Sequence, residues 1–247
     1  MTILNHQTLI LNSQFEHLRN FMLSLPNRFA NGEGTLIHDG RNKLRCIEFE
    51  GNEYVVKSFK RPNFINRWVY GVLRPSKAKR AYRNALLYLK LGVSTPMPVG
   101  YLNIRRGLSF DKSYFVTLKS SCPWRYEDLF THTFSYADDV LEEVGRITAI
   151  LHNHGLAHKD YGRANILFEQ LPNGKIHLDI VDLNRMDFGP LDINKGCKNL
   201  ERLPATAHMH RIIANAYAKE RHFDADECYH LMRQYRSTQP GQIKGEF

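Results

Sequence analysis

A short stretch in the second half of the chain combines the residue types that phosphoryl transfer requires. It reads HKDYGRAN, from His158 to Asn165, and has the pattern H-x-D-x-x-x-x-N. Phosphoryl transfer needs a carboxylate that orients the attacking hydroxyl group and accepts its proton, and hard oxygen ligands that hold Mg²⁺ on the ATP phosphates. Asp160 suits the first role, as catalytic base. Asn165 and the later Asp182 suit the second, and His158 is expected to pack and to hydrogen-bond the loop.

The elements predicted around this stretch would bring Asn165 and Asp182 together. Apolar residues at spacings of three and four predict a helix over residues 136–154, which ends directly before the stretch. The runs 166–168 and 176–181 flank a Pro-Asn-Gly turn and predict a hairpin. Because Asp182 follows its second strand, the hairpin would return Asp182 to Asn165. This context supports a motif whose spacing alone also fits a buried polar turn in an unrelated fold.

The first 118 residues have the pattern of a sheet with one substantial helix. Lys57 lies on the second strand of a predicted hairpin, and a basic helix is predicted over residues 77–91. Strands are predicted over residues 44–50, 54–59, 99–104 and 114–118. The part after Asp182 is mostly helical in pattern. The sequence therefore predicts an α+β fold with two lobes.

Three parts of the chain are expected from these patterns. They are an N-terminal helical extension (residues 1–30), an N-lobe with an antiparallel sheet and one main helix (31–120), and a small helical C-lobe (121–247). The C-lobe contains the predicted catalytic loop, residues 158–165.

The charge of the chain indicates an anionic partner. The net charge is +9, and residues 54–110 contain twelve Lys or Arg and no Asp or Glu. Such a block fits an anionic lipid surface or a phosphorylated or acidic substrate, and a solvated surface is the plain alternative. Aromatic residues between positions 64 and 70 lie among arginines, a mixture that could contact a membrane surface or pack inside the fold. No recognised nucleic-acid-binding module is present, so nucleic acid is not expected as a partner.

Composition and cysteine spacing indicate a cytoplasmic globular protein. Hydrophobic residues make up 43% and charged residues 24% of the 247 residues, which is ordinary for a globular chain. We expect neither a membrane-spanning segment nor a secretory signal, because the apolar runs are too short and the N-terminal residues lack the signal pattern. The four cysteines form no C-x-x-C pair, so neither a zinc site nor a disulfide framework is expected. The expected location is cytoplasmic.

The motif segment resembles a known family. The stretch HKDYGRANILF…IHLDIVDLNRM is similar to the Kdo/WaaP lipopolysaccharide kinase family, a bacterial branch of the protein-kinase-like fold. Its DLNRM sequence stands where ordinary protein kinases have Asp-Phe-Gly. The segments YVVKSFKRPN and SKAKRAYRNALLYLKLGVSTPMPVGY also resemble the family, so that the likeness covers about residues 35–190.

The resemblance implies a bilobal protein-kinase-like fold and a specific reaction. The γ-phosphate of ATP would pass to a hydroxyl of the lipopolysaccharide inner core, on Kdo or heptose, or to another anionic glycolipid. The enzyme would work at the cytoplasmic face of the inner membrane, with peripheral contact to its anionic surface. Lys57 matches the lysine that binds the α- and β-phosphates, Asp160 the base, and Asn165 and Asp182 the metal ligands; the implied cofactors are ATP and Mg²⁺. Arg163 would lie near the transferred phosphate or in solvent.

Two departures from ordinary kinases leave alternatives open. Ordinary kinases pair the strand lysine with a glutamate on the following helix, whereas the helix here has no acidic residue and places Tyr82 or Arg83 there. The glycine-rich G-x-G-x-x-G loop is also missing; the glycines of residues 31–35 and 39–42 are interpreted as hairpin turns. The alternatives are a protein Ser/Thr/Tyr kinase with the same residues and a catalytically weak pseudokinase that acts as a binding module.

Overall fold

The chain consists of two compact units in its computed structural model, which describes residues 5–59, 75–106, 109–241 and 246. Unit 1 comprises Met1–Leu86 and Pro96–Lys119, and unit 2 comprises Leu87–Thr95 and Ser120–Phe247. Within the described ranges, no helix has the length and apolar character needed to cross a membrane. The aromatic and basic residues of positions 64–70 lie outside the described residues.

Unit 1 contains a six-stranded antiparallel sheet in the order β1-β5-β6-β4-β3-β2. The predicted hairpin is present, since β3 and β4 pair along their whole length and place Lys57 opposite Leu44. On its other side Lys57 is paired with Phe115 of β6. The strands are β1 (Asn5–Leu11), β2 (Thr35–Asp39), β3 (Asn42–Phe49), β4 (Asn52–Phe59), β5 (Pro98–Arg106) and β6 (Ser109–Leu118).

The first thirty residues include a strand that the sequence pattern did not predict. Strand β1 pairs with β5 along its whole length, and a 3-10 helix (Ser13–Leu18) and helix α1 (Arg19–Ala30) follow it. Buried residues of these helices join those of β3 to β6 in one apolar cluster, to which Phe21 and Tyr114 contribute. Helix α1 also continues through Pro26. The partner of β1 lies almost one hundred residues away, so local pattern could not reveal the pairing.

Helix α2 (Lys77–Lys90) is the predicted basic helix. One of its faces is apolar and packs with Phe59 and Tyr101, through Ala78, Ala81 and Tyr82. The opposite face carries exposed Arg83. The helix therefore forms because alanines and aromatic residues recur on one side, although its first turn lacks acidic residues.

Unit 2 is mainly helical and carries two small antiparallel sheets, with the orders β10-β9-β7 and β11-β8. Its strands are β7 (Trp124–Arg125), β8 (Leu156–His158), β9 (Ile166–Gln170), β10 (Ile176–Ile180) and β11 (Met186–Phe188). A 3-10 helix spans Tyr126–Phe130, and the α-helices are α3 (Ala137–Asn153), α4 (Ile193–Asn199), α5 (Ala207–Arg221) and α6 (Ala225–Ser237).

Helices α3 and α5 pack closely because Gly145 has no side chain. A Cβ atom at Gly145 would lie 2.5 Å from the carbonyl oxygen of Ile213. The part after Asp182 is mainly helical, as its pattern predicts, and its first helix, α4, begins at Ile193. Asp192 sets this start, since its side chain accepts a hydrogen bond from the Lys195 amide and caps the helix.

Candidate active site

The predicted catalytic loop begins at a buried histidine that holds it in place. His158 ends strand β8 and is 1% exposed. Its Nε2–H donates to the Val181 carbonyl at 3.1 Å, and its Nδ1 accepts from the Asp160 amide at 3.0 Å. Burial is the main cause that lowers the pKa of His158. A neutral imidazole with both nitrogens engaged positions the loop, as the sequence predicted.

Backbone and side-chain hydrogen bonds bring Asn165 next to Asp160 and to the end of the hairpin. The Asn165 side-chain amide donates to the Asp160 carbonyl at 2.8 Å. The Val181 amide donates to the Asn165 carbonyl at 2.9 Å. Strands β9 and β10 pair from Ile166 to Gln170, so that β10 ends beside the residue that precedes β9. The hairpin thus returns the chain, and with it Asp182, to Asn165.

Asp182 adopts a backbone conformation that is rare for its residue type. Its φ angle is +61°, in the left-handed region. A residue other than glycine held there costs free energy, and such residues are concentrated at functional sites. Buried Asn184 donates its side-chain amide to one carboxylate oxygen of Asp182. The local chain therefore fixes both the backbone and the carboxylate of this residue.

Two arginines contact the Asp160 carboxylate. Arg185 Nη1 donates to both oxygens, at 3.0 and 3.1 Å, and Arg202 Nη1 donates to Oδ1 at 3.0 Å. Sequence reasoning did not assign either arginine a role. Arg185 stands in the DLNRM segment, which offered a signal, whereas Arg202 follows α4, 42 residues after Asp160, and offered none. Together they orient the carboxylate that the sequence predicts as the catalytic base.

A buried polar network supports the start of the loop from the helices behind it. Asn199 donates to the His158 carbonyl at 2.9 Å and accepts from His152 Nε2 at 3.0 Å. His152 Nδ1 contacts the Tyr217 hydroxyl at 2.8 Å. Burial lowers the pKa of His152 to about 4, so the ring is neutral near pH 7. The network connects α3, α4 and α5 to the loop.

Lys57 lies in unit 1, apart in sequence from the loop residues, which all lie in unit 2. It is half-buried on β4, and its ammonium group lies 5.5 Å from the ring centre of Phe59. Tyr82 and Arg83 stand about where ordinary kinases have the helix glutamate. Arg83 is exposed, and Tyr82 is buried against Tyr101, with ring centres 5.6 Å apart. Neither side chain supplies a carboxylate.

The two glycine-containing stretches of unit 1 differ in structure. Residues 40–41 form the turn between β2 and β3, as interpreted from the sequence. The stretch 31–35 was also interpreted as a hairpin turn, and this was wrong: it connects α1 to β2. Its carbonyl groups at Gly32, Glu33 and Gly34 accept hydrogen bonds from Arg45. The Arg45 guanidinium group therefore stabilises this connection between helix and strand.

A cavity of about 300 Å³ adjoins the loop on the side of Asn165. Two exposed arginines, Arg163 and Arg202, contribute to its lining. Arg163 Nε also lies 3.5 Å from Glu127 Oε2. A cavity of this volume is at the lower end of the range for small-molecule sites. Arg202 also contacts Asp160, so one side chain connects the cavity lining with the carboxylate that could accept a proton.

The donor set at the end of the hairpin fits a hard divalent cation. Within the described residues, Asn165 uses its side-chain NH₂ as a donor, and its Oδ1 accepts no hydrogen bond. Asp182 supplies a carboxylate, and the residue before it, Val181, donates its backbone amide to the Asn165 carbonyl. Amide and carboxylate oxygens are the ligands that Mg²⁺ takes beside nucleotide phosphates. Asn165 and Asp182 could therefore hold Mg²⁺–ATP.

Comparisons with known proteins identify the fold. No protein-family model matches the sequence, and no curated protein matches it either. A solved structure of WaaP in complex with acyl carrier protein is similar, with a TM-score of 0.62 and 17% identity over 93% of this chain and 98% of that chain. A Rio2 kinase–ADP/Mg²⁺–phosphoaspartate complex from Chaetomium thermophilum is similar with a TM-score of 0.52 and 14% identity, over 89% of this chain and 67% of that chain.

The similarity to WaaP agrees with the resemblance noted from the sequence motifs, and it extends over almost the whole of both chains. The α+β architecture, with an antiparallel sheet in unit 1 and a mainly helical unit 2, is confirmed. The chain therefore has the protein-kinase-like fold that WaaP and Rio2 kinase share.

Proposed function

We propose that this protein is an ATP-dependent phosphotransferase that phosphorylates an alcohol group. One observation carries the proposal: Asn165 donates to the Asp160 carbonyl, and Val181, which precedes Asp182, donates to the Asn165 carbonyl. A carboxylate beside two oxygen ligands for Mg²⁺ is the set that phosphoryl transfer requires. The protein-kinase-like fold supports the same reaction class.

Each residue has a role that follows from its chemistry. Asp160, oriented by Arg185 and Arg202, orients the acceptor hydroxyl and accepts its proton. Asn165 and Asp182 bind the metal–nucleotide complex, and Mg²⁺ bound there would neutralise charge that develops on the phosphate oxygens. Lys57 of unit 1 binds the α- and β-phosphates, a role that rests on the sequence resemblance.

We further propose that the acceptor is a sugar hydroxyl of the lipopolysaccharide inner core, on Kdo or heptose. The similarity to WaaP and the sequence resemblance favour this acceptor. The cavity beside Asn165 has a volume suited to one sugar unit, and Arg163 and Arg202 would bind a carboxylate or phosphate on it. Work at the cytoplasmic face of the inner membrane, with peripheral contact to its anionic surface, belongs to the same proposal and agrees with the net charge of +9.

The test is transfer of labelled phosphate from ATP to a panel of acceptors: Kdo-lipid A, a heptose-containing core and casein. We expect label in a lipopolysaccharide acceptor with Mg²⁺ present. Asp160→Ala should lower transfer by about 10²- to 10⁴-fold while ATP binding is retained. Asp182→Ala should remove Mg²⁺-dependent ATP binding. Asp226→Ala is the control, because this exposed carboxylate pairs with Arg211 on the helices of the same unit.

The outcomes separate the proposed acceptor from two other functions. Label in casein alone would replace the sugar kinase by a protein kinase. ATP binding without transfer to any acceptor would favour a pseudokinase. The observation that favours this alternative is that helix α2 contains no Asp or Glu. If Asp160→Ala transfers phosphate as fast as the unchanged protein, Asp160 is not the base.

A further inference from the structure

A cluster of metal-ligand side chains lies in unit 2 outside the loop described above. It comprises Cys122, Glu169 and His177, whose ligand atoms all lie within 4.8 Å of one another. Glu169 and His177 are paired across strands β9 and β10. Cys122 lies before β7; its Sγ is 4.0 Å from Glu169 Oε1 and 3.9 Å from the His177 carbonyl. The fold thus gathers sulfur, oxygen and nitrogen ligands from three segments.

The cluster contains carboxylate groups, although the net charge of the protein is +9. Buried Asp179 adds a second carboxylate, with its Oδ1 3.5 Å from His177 Nε2. In the described part of the chain, neither Glu169 nor Asp179 forms an ion pair with Lys or Arg; hydroxyl groups of serines donate to both, from Ser94, Ser120 and Ser121. A buried carboxylate that lacks a cationic partner is costly, and a bound cation would remove that cost.

The geometry suits a tetrahedral cation that accepts sulfur ligands. Around Zn²⁺, with metal–sulfur and metal–oxygen distances of about 2.3 and 2.0 Å, adjacent ligand atoms are separated by about 3.5 Å. The separation of 4.0 Å between Cys122 Sγ and Glu169 Oε1 is longer than this value, and the ligand atoms all lie within 4.8 Å of one another, so the side chains would close around an ion on binding. Cys122 is 8% exposed, whereas Glu169 and His177 are half-buried, so an ion would enter from their side.

We propose that Cys122, Glu169 and His177 form a binding site for Zn²⁺ or a similar divalent transition-metal ion. The set of thiolate, carboxylate and imidazole is selective for this class over Mg²⁺, which prefers oxygen ligands alone. Asp179 or a water molecule completes the coordination. The serine hydroxyl groups that donate to the two carboxylates hold them in orientation, as partners behind metal ligands do.

Binding at this site is linked to a proton. Coordination replaces the thiol proton of Cys122 by the metal: the S–H bond breaks, the sulfur keeps the electron pair and binds the ion, and the proton passes to solvent. The ion would tie the segment before β7 to the β9–β10 hairpin.

The experiment uses the full chain without an affinity tag, stripped with a chelator and titrated with Co²⁺ and then Zn²⁺, with Mg²⁺ in excess. Excess Mg²⁺ occupies oxygen sites such as Asn165 and Asp182. A thiolate–Co²⁺ charge-transfer band reports sulfur coordination, which those sites cannot give. We expect one equivalent of Co²⁺ with this band, displaced by Zn²⁺.

Variants locate the site and decide the proposal. Cys122→Ser should remove the band, and Glu169→Gln and His177→Gln should each weaken Co²⁺ affinity at least about tenfold. Cys46→Ser is the matched control, because Cys46 Sγ also lies beside a carboxylate, 3.5 Å from Glu53 Oε1, but in unit 1 and, among the described residues, outside any cluster of three metal-ligand side chains. Absence of the band, or its persistence in Cys122→Ser, overturns the proposal. Circular dichroism verifies that each variant is folded, and none of these outcomes bears on phosphotransfer.

Discussion

Arg202→Gln tests whether the arginines next to Asp160 position the proposed base. The change removes one of the hydrogen bonds on the carboxylate, the 3.0 Å bond to Oδ1, and leaves the two from Arg185. A hydrogen bond to a charged group contributes about 1.5–3 kcal/mol when buried. Here the arginine side chain is 54% exposed, which reduces the value to about 1 kcal/mol.

The effect on rate follows from this value. If the lost free energy appears in the transition state, where the carboxylate must face the acceptor hydroxyl, about 1 kcal/mol lowers kcat roughly fivefold. The free energy of unfolding should change by less than about 1 kcal/mol. Arg185→Gln should lower kcat more, because Arg185 donates to both oxygens. The KM for ATP should stay nearly constant, since neither arginine belongs to the proposed nucleotide ligands.

The assay is the steady-state release of phosphate from ATP with water as acceptor, so that it needs no identified sugar. Arg211→Gln is the control, because its guanidinium pairs with the carboxylate of Asp226 elsewhere in the same unit. A double-mutant cycle with Asp160→Asn gives the decisive comparison. Arginines that act through Asp160 have no further effect once its charge is removed. Rate losses that simply multiply in the double variant would refute the positioning role.

Two further predictions concern stability. Burial lowers the pKa of His152 and His210 from 6.5 to about 4. Because the unfolded chain binds these protons at higher pH than the folded chain, the free energy of unfolding falls as the pH drops from 6.5 toward 4. Urea unfolding should show a loss of about 2 kcal/mol per histidine at pH 5. Gly145→Ala should destabilise the fold by about 1–2 kcal/mol, because the clash of the new methyl group with the Ile213 carbonyl outweighs the helix preference for alanine. Thermal unfolding measures this loss, with Glu142→Ala on the exposed face of the same helix as the control. An unchanged Tm in Gly145→Ala would contradict the close packing.

The pH prediction can be assigned to a single residue. Burial is the main cause of the low pKa of His210, with Arg233 adding to it, and its Nδ1 has no hydrogen-bond partner within the described residues. His210→Leu should therefore flatten the loss of stability between pH 7 and pH 5 by about half. His230→Gln, on the exposed side of α6, should leave it unchanged. An unaltered pH dependence in His210→Leu would show that this ring is protonated in the folded state.

Sequence patterns predicted the parts of the fold whose partners are near in the chain. The β3–β4 hairpin, helix α2, helix α3 and the β9–β10 hairpin all lie where periodicity and turns placed them. The proximity of Asn165 and Asp182 followed from the same reasoning, because a hairpin returns the chain to its start. These contacts depend on local backbone geometry, which residue types and spacing specify.

Contacts between distant segments were not predicted, for a physical reason. Strand β1 pairs with β5, and Arg202 reaches Asp160, through packing of elements that no local pattern connects. The proposed metal site could not be anticipated from the cysteine spacing for the same reason, since Cys122 meets Glu169 across 47 positions of sequence. Spacing motifs detect ligands that one turn or loop supplies, and they miss ligands that a tertiary fold assembles.

Hydrogen bonds within unit 2 orient the candidate site residues, although the helix glutamate of ordinary kinases is absent. Helix α2 has no carboxylate, so no lysine–glutamate pair on it can control activity. In unit 2, by contrast, Asp160 is oriented by two guanidinium groups, and Asp182 is fixed by Asn184 and its own backbone. The proposed base and the proposed metal ligand Asp182 are therefore ordered by contacts within one unit.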